Sequence, residues 1–510
     1  MTAMAEPVDP AEWIDPASGR PVAGAPLGML LSAQAAATPD RPAFTLGESS
    51  LSFAAFERRA NRRARHLIDR GIAAGDRVML AMANRPDYLE CAFALWKIGA
   101  TPCPVSERLA PAEFAEIVAL ADPRAVIGLP GLPVDADRLY AIDDPLPDGI
   151  DDGSLPPAVA TPGKIANSGG STGRPKLIVD PLPSVWGPDK EGCRRGPRLT
   201  LLNPGPLYHS APFNTTTMAL AQGSHIVCLD RFDPHRWLDA VERHGVDYAY
   251  MVPTMMARIA RLPAAETEGR DLSTIRTLLH MAAPCPAEVK RWWIDRIGAE
   301  RVWEVYGGTE RIGVTTIGGA EWLDHPGTVG KASPGQQILI TDEDGAPLPT
   351  GTIGEIHFRK TGGTASGYAY IGAAGRAKGD IDSFGDMGWL DEAGYLHIAD
   401  RRTDMVLVGG INIYPAEIEA AIEALPGVRG CAVIGLPDAD MGNRLHAIVE
   451  VAAPGDVPED ADAFLAALAD RLPGLKRPRS AEFTCRPIRD EAGKVRRSAL
   501  REERLSPRGA

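Results

Sequence analysis

The chain has 510 residues, of which 44% are hydrophobic, so it can form two or three domains with sizeable cores. Its formal net charge of −13 argues against binding to nucleic acids or membrane surfaces, so an anionic ligand must be held by local amides and cations. Its seven cysteines lack the spacing of zinc ligands, and no leader or bilayer-length apolar run is evident, which predicts a cytoplasmic protein in a reducing compartment.

Amphipathic helices alternate with short apolar strands from residue 29 to about residue 128. Such alternation requires crossover connections and predicts a largely parallel sheet. The same alternation of helices and strands returns between residues 161 and 330. The helices predicted in these two stretches are 53–70, 85–98, 111–121 and 234–244, and the strands are 77–82, 125–127, 248–252 and 276–280.

After residue 330 the pattern becomes antiparallel. Alternating apolar residues around an Asp-Gly turn predict a small antiparallel unit over 338–359, and a hairpin follows over 389–396. We place a domain boundary at the charged segment 400–404. The predicted fold is α/β, with a large N-terminal domain over 1–400, built of parallel-sheet subdomains plus the antiparallel unit, and a small α+β domain over 401–510. The helices predicted in the small domain are 416–424 and 460–471.

The stretch SGGSTGRPK, residues 168–176, concentrates glycines, hydroxyls and cations between the two α/β stretches. Glycines permit the positive φ values that let backbone N–H groups converge on an anion, and Arg174 and Lys176 add positive charge. The stretch is not a P-loop, because Pro175 separates the cations and no Ser or Thr follows Lys176. It predicts a cradle for a triphosphate, formed by Ser168, Gly169, Gly170, Ser171, Thr172, Gly173 and Lys176.

Further motifs follow along the chain: GPLYH at 205–209, MAAP at 281–284, YGGTE at 306–310, GD at 385–386, DR at 400–401, GGINIYP at 409–415 and GK at 493–494. Together with the phosphate loop, this ordered series strongly resembles the adenylate-forming superfamily, which includes acyl-CoA synthetases, adenylation domains and luciferases. The resemblance extends from about Met29 to Arg504. It implies an acid–CoA ligase that uses ATP, Mg²⁺ and coenzyme A, and a C-terminal domain that is mobile.

The resemblance also implies a nucleotide site. Thr309 is expected to contact phosphate, and Glu310 to bind the Mg²⁺ that neutralises the triphosphate, because hard oxygen ligands suit that ion. Tyr306 is expected to stack on adenine and Asp386 to accept both ribose hydroxyls, while Arg401 reaches the ribose or a phosphate. The implied cofactor-binding residues outside the phosphate loop are Ala283, Tyr306, Gly307, Asp386, Arg401, Gly409 and Gly410.

The implied reaction has two halves. A carboxylate is a poor acyl donor, so it first attacks the α-phosphate of ATP, with loss of pyrophosphate, to give a mixed anhydride. Lys494 is expected to touch both the acyl carboxylate and the α-phosphate, an electrostatic role. The small domain then rotates about a hinge at 401–404, and Gly409 and Gly410 line a pantetheine tunnel. The implied catalytic residues are Lys494, Thr309, Glu310 and His209.

The chain departs from the usual pattern in and after the phosphate loop. Gly169 stands where relatives usually carry Ser, and Leu177 where they usually carry Gly, so one hydroxyl donor is lost. With Gly169 and Leu177 at these two positions, the chain resembles bacterial ligases for bile-acid, steroid and other polycyclic carboxylates. Thr403 stands at a hinge position that Asp or Lys usually occupies. The implied acyl wall contains several small and mostly apolar residues, which favours a bulky hydrophobic acid: His209, Phe213, Met281, Ala282, Gly308 and Gly313.

Three other functions are compatible with part of the same pattern. An adenylation enzyme for amino or aryl acids is the nearest alternative, but His209 stands where an acidic residue would pair with an amino-acid ammonium. Loss of the loop hydroxyl leaves open a half-ligase that only thioesterifies a preformed acyl-adenylate, supplied by a separate adenylating partner enzyme. A silent scaffold is disfavoured because Lys176, Glu310, Asp386 and Lys494 are all present. The sequence also leaves open whether the protein is a homodimer.

Overall fold

The computed structural model describes residues 24–168, 175–186, 198–361, 367–409, 411–438, 440–453, 455–456, 460–468, 471–472, 474–490 and 493–505. Within these ranges no helix is both long and apolar enough to cross a bilayer. Six of the predicted site residues lie outside the described ranges: Gly169, Gly170, Ser171, Thr172, Gly173 and Gly410. The α-helices are Leu27–Ala37, Phe53–Asp69, Pro86–Lys97, Pro111–Ala121, Ser210–Ala221, Pro234–His244, Pro253–Ala260, Ala264–Thr267, Ala287–Ile297, Gly319–Asp324, Pro415–Glu423, Ala461–Ala466 and Arg497–Leu505.

Two sheets made mainly of parallel strands form the first part of the chain. The smaller is parallel throughout, in the order Thr101–Val105, Arg77–Ala81, Ala125–Gly128 and Leu139–Ala141. The larger has nine strands, parallel in its centre and antiparallel at both edges. Its order is Lys331–Ala332, Val314–Gly318, Val302–Gly307, Thr277–Met281, Tyr248–Met251, Thr200–Asn203, His225–Cys228, Pro42–Leu46 and Ser49–Ser52. The predicted parallel α/β organisation is confirmed.

Local sequence explains the ends of the helices that frame these sheets. Ser52 accepts a backbone hydrogen bond at the start of Phe53–Asp69, and Asp233 does the same at the start of Pro234–His244. Gly245, with a φ of +58°, ends the second helix in the left-handed conformation that glycine adopts without strain. Each helix turns one apolar stripe inward; the stripe of the first is Phe53, Phe56, Ala60, Ala64 and Leu67.

Among the described residues, two further sheets of three or more strands are antiparallel throughout. The predicted unit over 338–359 is the pair Gln336–Thr341 and Gly354–Lys360. The predicted hairpin is Asp386–Leu390 with Leu396–Arg401, and it joins the same five-stranded sheet, which also contains Ile381–Asp382. A separate three-stranded antiparallel sheet has the order Ala369–Ile371, Lys176–Val179 and Ile165–Ser168.

The last part of the chain has a hydrophobic core of its own, formed by residues from Val406 to Leu472. The strand Leu396–Arg401 belongs to the preceding sheet, so that sheet ends one residue beyond the predicted boundary. The helix predicted over 460–471 is shorter, because the Leu468 N–H bonds three residues back, to Leu465, and breaks the α-helical ladder. The strands here are Val406–Val408, Ile411–Ile413, Val428–Asp438, Gly442–Val451 and Ser480–Thr484.

Candidate functional site

Several predicted site residues follow the carboxyl ends of neighbouring parallel strands. Tyr208 and His209 come after Thr200–Asn203, Met281 ends the strand that begins at Thr277, and Glu310 comes shortly after Val302–Gly307. Parallel strands end at the same edge of a sheet, which is where ligands bind in open α/β folds. The structure therefore brings three separate motifs to one edge of the nine-stranded sheet.

Thr309 and Glu310 lie in a tight turn in which the Arg311 N–H donates to the Gly308 carbonyl. Arg311 has a φ of +56°, and its guanidinium contacts Asp180 at 3.2 Å. Asp180 is buried and also accepts from Lys164 at 2.8 Å. This ion-pair network ties the Glu310 turn to the strand that follows the phosphate loop.

Glu310 faces that strand directly. The Tyr370 hydroxyl donates to Glu310 Oε1 at 2.7 Å, and Lys176 Nζ lies 3.8 Å from the same oxygen. The Lys176 ammonium also lies 3.8 Å from the centroid of the Tyr370 ring. The backbones of Ser168 and Lys176, the described residues at the two ends of the predicted loop, are paired in antiparallel strands.

A second cluster forms around Asp386, which is buried at the start of its strand. The Tyr306 hydroxyl donates to Asp386 Oδ2 at 2.7 Å, and Arg401 Nε lies 3.5 Å from Oδ1. Burial raises the pKa of Asp386, while the Arg401 charge and the Tyr306 hydrogen bond oppose that effect. Gly385, with a φ of +84°, has the guanidinium of Arg376 where a Cβ would stand. Asp386 is therefore flanked by a phenol and two arginines.

The Tyr306 ring does not lie free. It contacts Phe384 edge-on at 5.9 Å and Phe358 at 6.3 Å between centroids, next to the exposed backbone of Gly307. Because both contacts lie beside residues of the antiparallel sheet, the aromatic cluster joins that sheet to the edge of the nine-stranded sheet. One phenol thus links the two elements.

Lys494 follows a turn in which Asp490 accepts from the Lys494 N–H at 2.9 Å and Gly493 has a φ of +77°. A Cβ at Gly493 would lie 2.6 Å from Thr254 Oγ1, so the turn lies against the residues that follow Tyr248–Met251. That strand is central among those of the site. Lys494 is exposed as a whole residue. Partial removal of water from its ammonium lowers its pKa, and the positive charge of Arg401 lowers it further.

His209 precedes the helix Ser210–Ala221 and packs against Tyr208, with 4.5 Å between ring centroids. Burial, and then the charge of Lys494, lowers the pKa of His209 to about 3. The imidazole is therefore neutral at physiological pH. The influence of Lys494 on His209 places the C-terminal turn and the Tyr208–His209 motif in one electrostatic environment.

The predicted acyl wall is only partly brought together. Met281 and Ala282 lie at the strand edge, and Ala282 has a φ of +79°, which is strained for a residue with a side chain. Ala283, the predicted nucleotide contact, follows and is partly exposed. Phe213 is 1% exposed and packs edge-on against Trp96 at 5.8 Å, so its ring lies in the core.

The expectation that Gly308 and Gly313 leave room for a bulky acid needs correction. A Cβ at Gly308 would overlap the Phe384 ring, and a Cβ at Gly313 would overlap the Phe358 ring. The space released by each glycine is thus already filled by an aromatic side chain of the protein. Gly409 likewise packs closely on Met441, and its N–H donates to the Met441 carbonyl at 2.9 Å.

Two groups at the site were missed by sequence reasoning. Tyr370 and Arg376 reach it because Ala369–Ile371 pairs with the distant strand Lys176–Val179. A tyrosine and an arginine in a Gly-rich segment carry no motif of their own. Only knowledge of that strand pairing would have identified them.

The residues present fit a Mg²⁺ ion bound together with phosphates. Within the described ranges, no three His, Cys, Asp or Glu residues form a metal cluster. Glu310 supplies one carboxylate, and Mg²⁺ commonly uses one or two carboxylates, waters and substrate phosphates. A single carboxylate beside Lys176 suits a metal that arrives with a polyphosphate.

Comparison with known proteins agrees with this arrangement. A model of the family described as AMP-binding enzyme matches residues 31–369, and a model described as AMP-binding enzyme C-terminal domain matches residues 417–494. A feruloyl-CoA synthase of Amycolatopsis sp is 33% identical over 498 residues, which cover 91% of this chain and 96% of that protein.

Two further proteins extend the comparison. The long-chain-fatty-acid–CoA ligase FadD13 of Mycobacterium tuberculosis is 31% identical over 507 residues, covering 94% of this chain and 98% of that one. Among solved structures, ATP-bound MatB from Rhodopseudomonas palustris has a TM-score of 0.78 and 27% identity, covering 94% of this chain and 99% of that one. The chain therefore belongs to the AMP-binding enzyme family, the adenylate-forming superfamily that its motifs resemble.

Proposed function

We propose that this protein is an ATP-dependent acid–CoA ligase, which converts a carboxylic acid to an acyl-adenylate and transfers the acyl group to coenzyme A. The observation that carries the proposal is the position of Lys494. Its turn lies against Thr254, between the strands that lead to His209 and to Met281. A tail cation that was merely solvated would have no reason to occupy this edge of the sheet.

Local charge supports binding of a nucleotide. Cations outnumber acids at the site, although the whole chain has a formal charge of −13. Such a concentration of positive charge attracts a polyphosphate locally. The cations are Lys176, Arg376, Arg401 and Lys494, and the acids are Glu310 and Asp386.

We assign the parts of ATP to these groups by their chemistry. The Tyr306 ring faces adenine, and the Asp386 carboxylate accepts the ribose hydroxyls. The Thr309 hydroxyl and Lys176 contact the phosphates, together with the loop that continues from Ser168. Mg²⁺, when bound, neutralises phosphate charge, and the Glu310 carboxylate holds it.

In the first half-reaction, a carboxylate oxygen of the acid forms a bond to the α-phosphorus, and the bond to pyrophosphate breaks. Lys494 stands between the two anions, reduces their repulsion and stabilises the charge that develops on phosphorus. His209 remains uncharged beside it, since its pKa is lowered to about 3. The imidazole therefore orients the acid without holding it as an ion pair.

In the second half-reaction, a thiolate attacks the acyl carbon and AMP leaves. This step requires the C-terminal domain to rotate. The contacts of Arg402 and Asp404 indicate the position of the hinge. Arg402 binds Glu343 at 2.8 Å and Glu355 at 3.1 Å, both in the antiparallel unit that contains the five-stranded sheet, whereas Asp404 binds Arg497 of the C-terminal helix. Thr403 lies between these two anchors, and we assign the hinge to it. Rotation there would bring Gly409 and Gly410 to the tunnel for pantetheine.

The acyl substrate we propose is a bulky hydrophobic acid. Neutral His209 and Met281 offer an uncharged, largely apolar wall, and the two most similar relatives named above act on feruloyl and long-chain acyl groups by their names. Gly308 and Gly313 do not support a bulky acid, because the Phe384 and Phe358 rings fill the space beside them. We propose that one enzyme carries out both half-reactions, and we place the reaction in the cytoplasm.

The test is a mass-spectrometric screen of purified protein with ATP, Mg²⁺ and a panel of fatty, aromatic and polycyclic acids, each with and without coenzyme A. Acyl-AMP without coenzyme A and acyl-CoA with it are the expected products. Acyl-AMP in both arms, with no thioester, would instead establish an adenylation enzyme.

The half-ligase is the second candidate, because Gly169 lacks the hydroxyl of relatives. It predicts no adenylate from any acid, yet thioester from synthetic acyl-AMP and coenzyme A. Failure of both reactions with every acid would contradict the ligase assignment.

A further inference from the structure

We propose that Tyr370 is a positioning residue that orients Glu310 with its hydroxyl and Lys176 with its ring, and so sets how tightly Mg²⁺ and ATP bind together. The inference rests on the proposed function, because it assumes that Glu310 and Lys176 serve a metal–nucleotide complex. It adds a residue that neither the motifs nor the family comparison assigns.

The geometry joins the three side chains in a closed triangle. The Tyr370 hydroxyl lies 2.7 Å from Glu310 Oε1, Lys176 Nζ lies 3.8 Å from that oxygen, and the same Nζ lies 3.8 Å from the centre of the Tyr370 ring. Tyr370 and Lys176 are on adjacent antiparallel strands, in which Tyr370 is paired with Ile178. The sheet therefore fixes the backbone on which both contacts depend.

The hydroxyl has a specific effect on the carboxylate. A neutral donor holds Oε1 without neutralising the negative charge, so Glu310 remains attractive to a divalent cation. A carboxylate that is already oriented loses less rotational freedom when it binds a metal. The second oxygen, Oε2, is left for the ion.

The ring has a separate effect on the lysine. At 3.8 Å, Lys176 Nζ forms an ion pair with Glu310 but is too far away for a hydrogen bond. The face of the Tyr370 ring also attracts the ammonium, and neither contact uses its N–H groups, which are left for phosphate oxygens. The Tyr368 ring packs edge-on against the Tyr370 ring at 5.0 Å and limits its rotation.

Calorimetric titration of ATP, with Mg²⁺ and with EDTA, separates the two effects. Tyr370→Phe removes the hydroxyl and keeps the ring, so we expect the gain in ATP affinity due to Mg²⁺ to fall about tenfold, the effect of one hydrogen bond to a charged group. Affinity in EDTA should stay within about twofold, since the ring contact persists. Tyr370→Leu should also weaken ATP in EDTA. An unchanged Mg²⁺ gain in Tyr370→Phe would overturn the proposal.

A matched control exists elsewhere in the chain. The Tyr395 hydroxyl donates to Glu321 Oε1 at 2.8 Å, so Tyr395→Phe removes the same kind of hydrogen bond away from the site. It should leave both affinities unchanged. An equal loss in Tyr395→Phe would assign the effect to general destabilisation and reject the positioning role.

A double-mutant cycle distinguishes positioning from a merely structural role. In a Glu310→Gln background, Tyr370→Phe should cause no further loss of the Mg²⁺ gain, because the group it orients has lost its charge. Additive losses would contradict the proposal. These titrations need no acyl substrate, so a protein that binds Mg²⁺ and ATP but makes no thioester would refute the ligase assignment and leave the Tyr370 result standing.

Discussion

Arg497 and Asp404 form an ion pair, with 2.5 Å between Nη1 and Oδ2, that joins the segment after Lys494 to the end of the proposed hinge. Arg497 also donates to both carboxylate oxygens of Glu419 at 2.8 Å. The start of the C-terminal helix, the end of the hinge and the helix Pro415–Glu423 are thus fastened together. A rotation at Thr403 would carry the Lys494 turn with it.

Arg497→Lys keeps the charge but loses the fork that binds Glu419, so we expect the orientation of the Lys494 turn to loosen. Adenylation should slow about tenfold, the effect of one lost charge-assisted hydrogen bond. Formation of acyl-AMP under single-turnover conditions measures this. The control is Arg501→Lys on the same helix, where Arg501 contacts only a backbone carbonyl, that of Gly435, among the side-chain bonds of the described residues. Equal rates for both variants would contradict the prediction.

Lys494→Ala should abolish adenylation, with a loss of at least about 100-fold, because it removes the charge that stabilises the transition state. Thioester formation from supplied acyl-AMP should be spared. The measurement compares the two half-reactions separately. Arg496→Ala removes an exposed cation two residues away, paired with Glu113 at 3.1 Å, and serves as the control. Normal adenylation by Lys494→Ala would remove this lysine from the mechanism.

Arg376→Ala should weaken ATP binding about tenfold, because the guanidinium beside Asp386 contributes to the positive charge that receives the phosphates. Binding titration in EDTA tests this without the metal. Lys378→Ala is the matched variant, since that exposed cation donates to the Glu343 carbonyl instead. If both variants bind ATP like the parent protein, Arg376 has no part in the nucleotide site.

Gly308→Ala places a Cβ against the Phe384 ring and 2.9 Å from Glu310 Oε2. We expect it to displace the carboxylate and raise the Mg²⁺ concentration needed for adenylation several-fold, in addition to about 1–3 kcal/mol of overpacking. Gly313→Ala overlaps Phe358 only and should lower stability without altering the Mg²⁺ requirement. Urea unfolding and a magnesium titration of acyl-AMP formation check both. The same Mg²⁺ requirement in the two variants would refute the distinction.

His280 predicts a pH dependence of stability. It is fully buried between Glu304 and Lys290, and burial is the main cause that lowers its pKa from 6.5 to about 4. The unfolded chain takes up a proton at this histidine near pH 6.5, whereas the folded chain does so only near pH 4. The contribution of neutral His280 to the free energy of unfolding is therefore present above pH 6.5 and is lost as the pH falls towards 4. It amounts to about 3 kcal/mol at most. His280→Leu should therefore flatten the urea-unfolding free energy over that pH range, and parallel profiles would contradict the assignment.

The sequence predicted only part of what brings the candidate site together. The strand predicted over 276–280 is found as Thr277–Met281, whereas the strands before His209 and Glu310 were not predicted, and these two residues were expected from the resemblance of their motifs. Tyr370 and Arg376 depend on pairing between strands that are far apart in the chain, which no local pattern reveals.

Glycine is ambiguous in a sequence for a related reason. At Gly308 and Gly313 the missing side chain admits aromatic rings of the protein, not a substrate. A glycine indicates that another group comes close to the backbone, but not whether that group belongs to the protein or to a substrate. The sequence therefore could not show whether these two glycines face a substrate or a side chain of the protein.

The bond between Tyr306 and Asp386 has a consequence for the proposed binding of ribose at Asp386. The phenol donates to Oδ2 and Arg401 lies near Oδ1, so both oxygens of the buried carboxylate already have a partner in the protein. A ribose that binds there exchanges one hydrogen bond for another and gains little net energy from that contact. Under the proposed assignment, we therefore expect the Tyr306 hydroxyl to take the position of a ribose hydroxyl at Asp386 whenever AMP leaves, so that this contact does not slow the release of AMP.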